Sequence, residues 1–357
     1  MAVTEDQSTA GQAPQAPEPR RGSTRDRILG ALGRSWLFFF LLGLVAFFWL
    51  TTPSGTFLTW SNLEQIALST SEVILLAIGE TFVIVTAGID LSIGGILFFS
   101  AVCGGEVMLH LSGTSAQTIN GEYPHSAYAV PIGIVVCIAA GTLWGLVNGT
   151  LITRLRLPPF IVTLGTLAIT LGLGDLIDGG SYLPAPVPPD LTTRFGSGKI
   201  FGLYAPIYVA AVFLLIAHLF FRYARFGRYT AAVGSNEEGT RRTGINVDRH
   251  IVKVYALAGF CAGVAAVLDL AIYTNTTSVS HQTDNLNAIG AVVIGGTSLF
   301  GGVGTIIGSA IGAFIPTVLQ NGLVIKDVSP FWQEVVVGAT IILAVYLDQL
   351  RRRRSNN

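Results

Sequence analysis

Long apolar runs separated by short polar connections set the plan of this 357-residue chain. Ten of them approach the ~20 residues that an α-helix needs to cross a bilayer. They cover residues 35–52, 62–87, 91–111, 128–152, 159–177, 205–222, 251–273, 286–299, 303–322 and 331–349. The eighth is short and glycine-rich, the pattern of a broken or re-entrant helix. The pattern predicts an all-α, polytopic integral membrane protein of about ten helices, some short or broken. Residues 1–34 read as a disordered tail, 35–349 as the transmembrane domain and 350–357 as a basic tail.

The polar connections differ sharply in charge. Residues 1–34, 153–157, 222–253 and 350–357 hold 18 of the 21 Lys and Arg, leaving Arg194, Lys199 and Lys326 elsewhere. Basic loops stay on the cytoplasmic side of a membrane. These four segments, and with them both termini, are therefore expected inside a cell (inner or plasma) membrane. Composition agrees: 12% of residues are charged and 51% hydrophobic, with a mean hydropathy of +0.61, whereas soluble domains carry roughly 25% charged residues. The apolar run after the Arg20–Arg34 cluster has no small-residue cleavage site and reads as a retained anchor.

Several function classes fall away. Cys103, Cys137 and Cys261 lie in apolar runs, and the five histidines show no metal-ligand spacing. Gly196-Ser-Gly-Lys199 resembles a phosphate loop, but position 193 is Thr and Ile200 follows the lysine where Ser or Thr is required. No G-x-S-x-G or H-E-x-x-H occurs. The basic residues mark topology and not nucleic-acid binding, and no enzymatic activity, metal or cofactor is expected in this chain.

The longest polar segment, Arg222 to Lys253, contains a compact helix signature. Ser235 followed by Glu238 fits a capping box. Glu237 and Glu238 then sit at the positive end of a short helix and Arg241 and Arg242 at its negative end, with Glu237–Arg241 and Glu238–Arg242 as i,i+4 pairs. Gly244 supplies a left-handed stop. About two turns, roughly 12 Å at ~1.5 Å per residue, is marginal for an isolated helix, so a docking role and a plain connecting loop are both open from these residues.

Within the spans, Glu80, Thr86, Asp90, Ser92 and Asn148 are candidates for a permeation path or gate. Asp90 has two readings, a cap for the third span or a gating residue. Glu80, a carboxylate within a span, is either functional or protonated and paired in a helix interface. Glu72, Glu106, Asp175, Asp178 and Asp269 fall toward the outer half. Glycine faces at Gly141/Gly145/Gly149, Gly259/Gly263 and Gly304/Gly308/Gly312 predict close helix packing. A glycine-rich break recurs at 79–95 and 290–304, the sign of a chain built from two related halves.

Four stretches together resemble a known family: GETFVIVTAGIDLSIGG (79–95), LPPFIVTLGTLAITLGL (157–173), the segment 231–266 beginning AAVGSNEEGTRRTGINVDRH, and AIGAVVIGGTSLFGGVGTIIGSAIGAF (288–314). They are similar to the permease subunits of ATP-binding-cassette importers for ribose, xylose and related monosaccharides. The resemblance spans most of 62–349. It implies a paired permease, as a homo- or heterodimer, two cytoplasmic ATPase subunits that use ATP, and an extracytoplasmic sugar-binding protein. It also implies that Ser235, Asn236, Glu237, Glu238, Arg241, Gly244 and Ile245 form the loop that engages the ATPase. The chain departs from the family at Glu80, where an uncharged residue is usual, and at Ala87, where a glycine is frequent; an atypical substrate such as a polyol is one reading. Two rival classes stay open at this point: a proton-coupled secondary transporter using Glu80 and Asp90, and a passive facilitator.

Overall fold

The computed structural model describes residues 24–355 apart from 54, 181, 182 and 184. Helix α1 (Thr24–Thr51) leads into α2 (Trp60–Val85), α3 (Ile93–Ser112), the short α4 (Ser115–Ile119), α5 (Ser126–Arg154) and α6 (Pro159–Ile177). A loop follows with one turn, α7 (Pro189–Leu191), and a two-stranded hairpin in which β1 (Lys199–Ile200) pairs antiparallel with β2 (Leu203–Tyr204). Next come α8 (Ala205–Tyr223), α9 (Arg225–Ser235), α10 (Glu237–Arg242) and α11 (Val247–Tyr273). The last three helices are α12 (Asp284–Ile294), α13 (Ile306–Ile325) and α14 (Pro330–Ser355). Side chains that accept a free N–H define several starts: Thr59 for α2, Asn246 for α11 and Thr305 for α13, as expected of Thr and Asn caps. Pro159 opens α6 at a position that lacks an intrahelical N–H partner anyway.

Among the described residues, seven helices are long and apolar enough to cross a membrane: α2, α3, α5, α6, α8, α11 and α13. The other three of the ten predicted spans correspond to shorter elements. Two are the apolar stretches Leu37–Thr51 of α1 and Pro330–Leu343 of α14. The third, predicted at 286–299, is α12, whose 11 residues rise only about 17 Å at ~1.5 Å each before Gly295 and Gly296 end it. The predicted tails also differ. Residues 24–34 continue α1 and residues 350–355 continue α14, because neither stretch contains a proline or a stop signal to separate it from the adjoining apolar run. The tail read at residues 1–23 lies outside the described residues.

Burial divides the bundle. The most apolar stretch of α2 is 83% buried, against 22% for that of α8, so α2 is central and α8 peripheral. Leu143 and Val147 on α5, Leu164 and Ile169 on α6, and Leu215 and Ile216 on α8 are exposed. An apolar outer belt of this kind suits a lipid surface.

The most extensive helix–helix contact is the α5–α11 seam. A Cβ on Gly141 would lie 2.3 Å from the Gly259 carbonyl oxygen, and one on Gly145 2.2 Å from the Tyr255 carbonyl oxygen. Those contacts are with backbone, which cannot rotate aside. The predicted glycine faces at 141/145/149 and 259/263 thus pack on each other. Gly308 and Gly312 pack on α12, at the carbonyls of Gly295 and Ala291. Gly304 precedes α13 and packs against Val85 and Thr297 instead.

The two glycine-rich breaks meet. The Asn285 side chain at the start of α12 donates to the Leu91 carbonyl at 3.1 Å. Beyond the end of α12, the Gly302 N–H donates to the Val85 carbonyl at 2.9 Å. The connection between α2 and α3 is therefore held at both flanks of α12. At the bundle's other edge, β1 places Lys199 in a 2.6 Å ion pair with the buried Glu64 of α2.

Candidate functional site

Helix α10 is set between α9 and α11 by local chemistry. Asn236 takes an extended conformation, and its side-chain oxygen accepts from the Gly239 N–H at 2.8 Å. The predicted capping box between Ser235 and Glu238 does not form. Ser235 is still the last residue of α9, and its hydroxyl donates back to the Ala231 carbonyl at 2.8 Å. A helix that directly follows another cannot take its cap from a residue that is still helical, so the start moves one residue to Asn236, which caps as well as Ser. The predicted pairs do form: Arg241 meets Glu237 at 3.0 Å, and Arg242 pairs with Glu238. Gly244 has φ +87°, the left-handed stop that its type permits without strain. Ile245 is half-buried beside it.

One partner escaped the sequence reading. Asp248, in the first turn of α11, accepts from Arg241 at 2.6 Å, so Arg241 ties α10 to the next helix as well as to itself. Hydrogen bonds to Asp248 and then to Glu237 push the Arg241 guanidinium above its ordinary pKa, and it stays charged at any working pH. The i,i+4 rule could not find this contact, because the chain turns between the two residues.

The base of the α9–α10 corner rests on the breaks. A Cβ on Gly234 would collide with the Val85 carbonyl at 1.8 Å, and one on Gly302 would meet the Ser235 hydroxyl oxygen at 2.5 Å. Gly301 lies against Ala87, where a Cβ would come within 2.9 Å. A cleft of about 670 Å³ opens next to this corner, lined by Thr86, Gly88, Arg156, Glu237, Arg241 and Tyr255 among others. Thr86 is the one candidate path residue that lines it.

Glu80, Asp90, Ser92 and Asn148 are fully buried. The Asp90 Oδ1 accepts from the Ser92 N–H at 2.9 Å and from its hydroxyl at 2.5 Å. Asn148 in turn donates to the Ser92 hydroxyl at 2.8 Å, so three of the predicted residues form one chain. Asp90 does not cap α3: its bonds fall on Ser92, which precedes the first helical residue, and they shape the turn. Among the described residues, neither Asp90 Oδ2 nor Asn148 Oδ1 has a hydrogen-bond partner, and the Asp90 backbone approaches the Glu80 carboxyl. Tyr255 closes this region from α11, its hydroxyl donating to the Ile89 carbonyl at 3.4 Å.

Comparison with known proteins returns one consistent set. Residues 62–345 match the family described as branched-chain amino acid transport system / permease component. The ribose import permease protein of Escherichia coli (strain K12) is 35% identical over 314 residues, covering 87% of this chain and 92% of that protein. The galactose/methyl galactoside import permease protein of Haemophilus influenzae is 33% identical over 337 residues, 92% of this chain and 97% of its own length. The D-allose transport system permease protein of Escherichia coli (strain K12) is 35% identical over 314 residues, 88% of this chain and 90% of its own. No solved structure matches the chain.

Proposed function

Since the chain belongs to the permease-component family of branched-chain amino acid transport systems, we infer that it is the transmembrane permease subunit of an ATP-binding-cassette importer of a monosaccharide. The carrying observation is that permeases named for ribose, galactose and allose each align over nearly the whole chain. The substrate is thus a pentose, a hexose or a related polyol.

In this reading both termini and α10 face the cytoplasm, and ATP is hydrolysed by separate ATPase subunits. A second permease subunit completes the path, and an extracytoplasmic binding protein delivers the sugar. Helix α10 is the docking element. Its exposed Glu237, Glu238 and Arg242 offer charge to a partner, and its base bears on Val85, Ala87 and Gly302 through the α9 corner. Displacing α10 therefore loads the connection between α2 and α3 directly. That connection carries Thr86, Asp90 and Ser92, which with Glu80 and Asn148 we assign to the gate or path. The sugar itself biases the cycle only through different affinities in its outward-open and inward-open states.

Reconstitution tests the reading. Proteoliposomes holding the permease and its ATPase are expected to take up labelled sugar only with the binding protein outside and ATP inside. Accumulation driven by a proton gradient without the ATPase, or equilibration without either, would overturn it.

A further inference from the structure

A second buried polar cluster lies away from α10, where α2, α11 and the start of α12 converge. His281, on the short turn Val279–His281 before α12, is 3% exposed. Its Nδ1 is 2.7 Å from an Asp284 carboxylate oxygen. Its Nε2 is 2.9 Å from the Thr276 hydroxyl and 3.5 Å from Asp269 Oδ2. Glu72 of α2 completes the group: one ligand atom each from Glu72, His281 and Asp284 lie within 4.8 Å of one another.

Two observations separate this cluster from an ordinary ion-pair network. Glu72 is 8% exposed and accepts no hydrogen bond among the described residues, although it faces the other two groups. Asp269 Oδ2 is buried and faces His281 Nε2 at 3.5 Å. The acids also outnumber the bases. No Lys or Arg pairs with Glu72, Asp269 or Asp284 among the described residues. Three carboxylates share one imidazole in a place where unpaired charge is costly.

We propose that Glu72, His281 and Asp284 form a divalent-cation site, with Asp269 behind the imidazole. Two carboxylates and an imidazole suit a first-row divalent ion such as Zn²⁺ or Mn²⁺. Binding releases the proton from the ligating imidazole nitrogen. The ion would pin the start of α12 to α2 and α11, and so fix the half-helix whose flanks hold the first break.

The test uses purified permease in lipid nanodiscs, stripped with chelator and then exposed to Zn²⁺ or Mn²⁺; neither readout below requires transport. Elemental analysis is expected to find about one ion per chain, and saturating metal to raise the Tm by about 5 °C. Glu72→Gln and Asp284→Asn should each weaken binding at least about tenfold, the loss that even an outer partner of a metal ligand causes. Glu334→Gln, at an exposed site, should change nothing. If the ligand variants fail to fold, X-ray absorption of the metal-loaded native chain reads the same question, as one nitrogen with oxygen neighbours. No retained ion and no Tm shift would overturn the proposal. So would a shift that survives in Glu72→Gln with Asp284→Asn, or a stability that answers to pH but not to metal. The last result would mean that protons alone neutralise the cluster.

Discussion

The α5–α11 seam and helix α10 are both small-residue or short-range features of the sequence, yet they are built on opposite physical terms. In the seam, glycines bring two backbones together so closely that no side chain fits between them. Backbone and small side chains make the contact, and close packing is what stabilises it. Helix α10 has six residues, one buried side chain (Thr240) and three ion pairs at or near the surface. Its own bonds contribute little, since exposed pairs are worth only about 0.2–1 kcal/mol each. The contrast teaches where change is tolerated. The seam transmits structure and cannot be altered; α10 is a weakly held outer element, which suits a surface that a partner completes.

Enlarging the seam should have the largest effect. Gly145→Leu places carbon atoms where the Tyr255 carbonyl already sits, and overpacking of this kind costs about 3 kcal/mol or more. Fluorescence-detected size exclusion should show loss of the folded species. A folded, monodisperse Gly145→Leu would mean that α5 and α11 can separate, and the contrast would fail.

Next in size is a functional effect with no loss of fold. Glu237→Arg combined with Glu238→Arg reverses the exposed face of α10, and uptake by the reconstituted importer should fall about tenfold or more while the ATPase continues to turn over. Normal coupling in that double variant would count against α10 as the docking element. Asn236→Ala removes the cap that holds the Gly239 N–H and should cost about 1 kcal/mol, read as faster amide exchange confined to 237–243. The smallest change is expected from Arg242→Ala, within about 0.5 kcal/mol and vanishing in high salt. Arg241→Ala should exceed it, because Arg241 also holds Asp248 on α11; equal effects would mean that the second contact contributes nothing.

Much of this was legible in one dimension. The apolar runs locate α2, α3, α5, α6, α8, α11 and α13 because a span depends only on its own length and hydropathy. The pairs Glu237–Arg241 and Glu238–Arg242, and the stop at Gly244, follow from helix geometry within a few residues. Tertiary structure decided the rest. Ser235 lost the cap to Asn236 because α9 runs directly into α10. Asp90, Ser92 and Asn148 joined into one chain across 56 residues. The eighth apolar run became a half-helix whose two ends grip the break after α2, and Glu72 came to face His281 although more than 200 residues separate them. Local pattern is set by nearest neighbours along the chain. Which buried polar groups find partners, and which are left facing one another, depends on how distant helices pack, and no periodicity in the sequence records that.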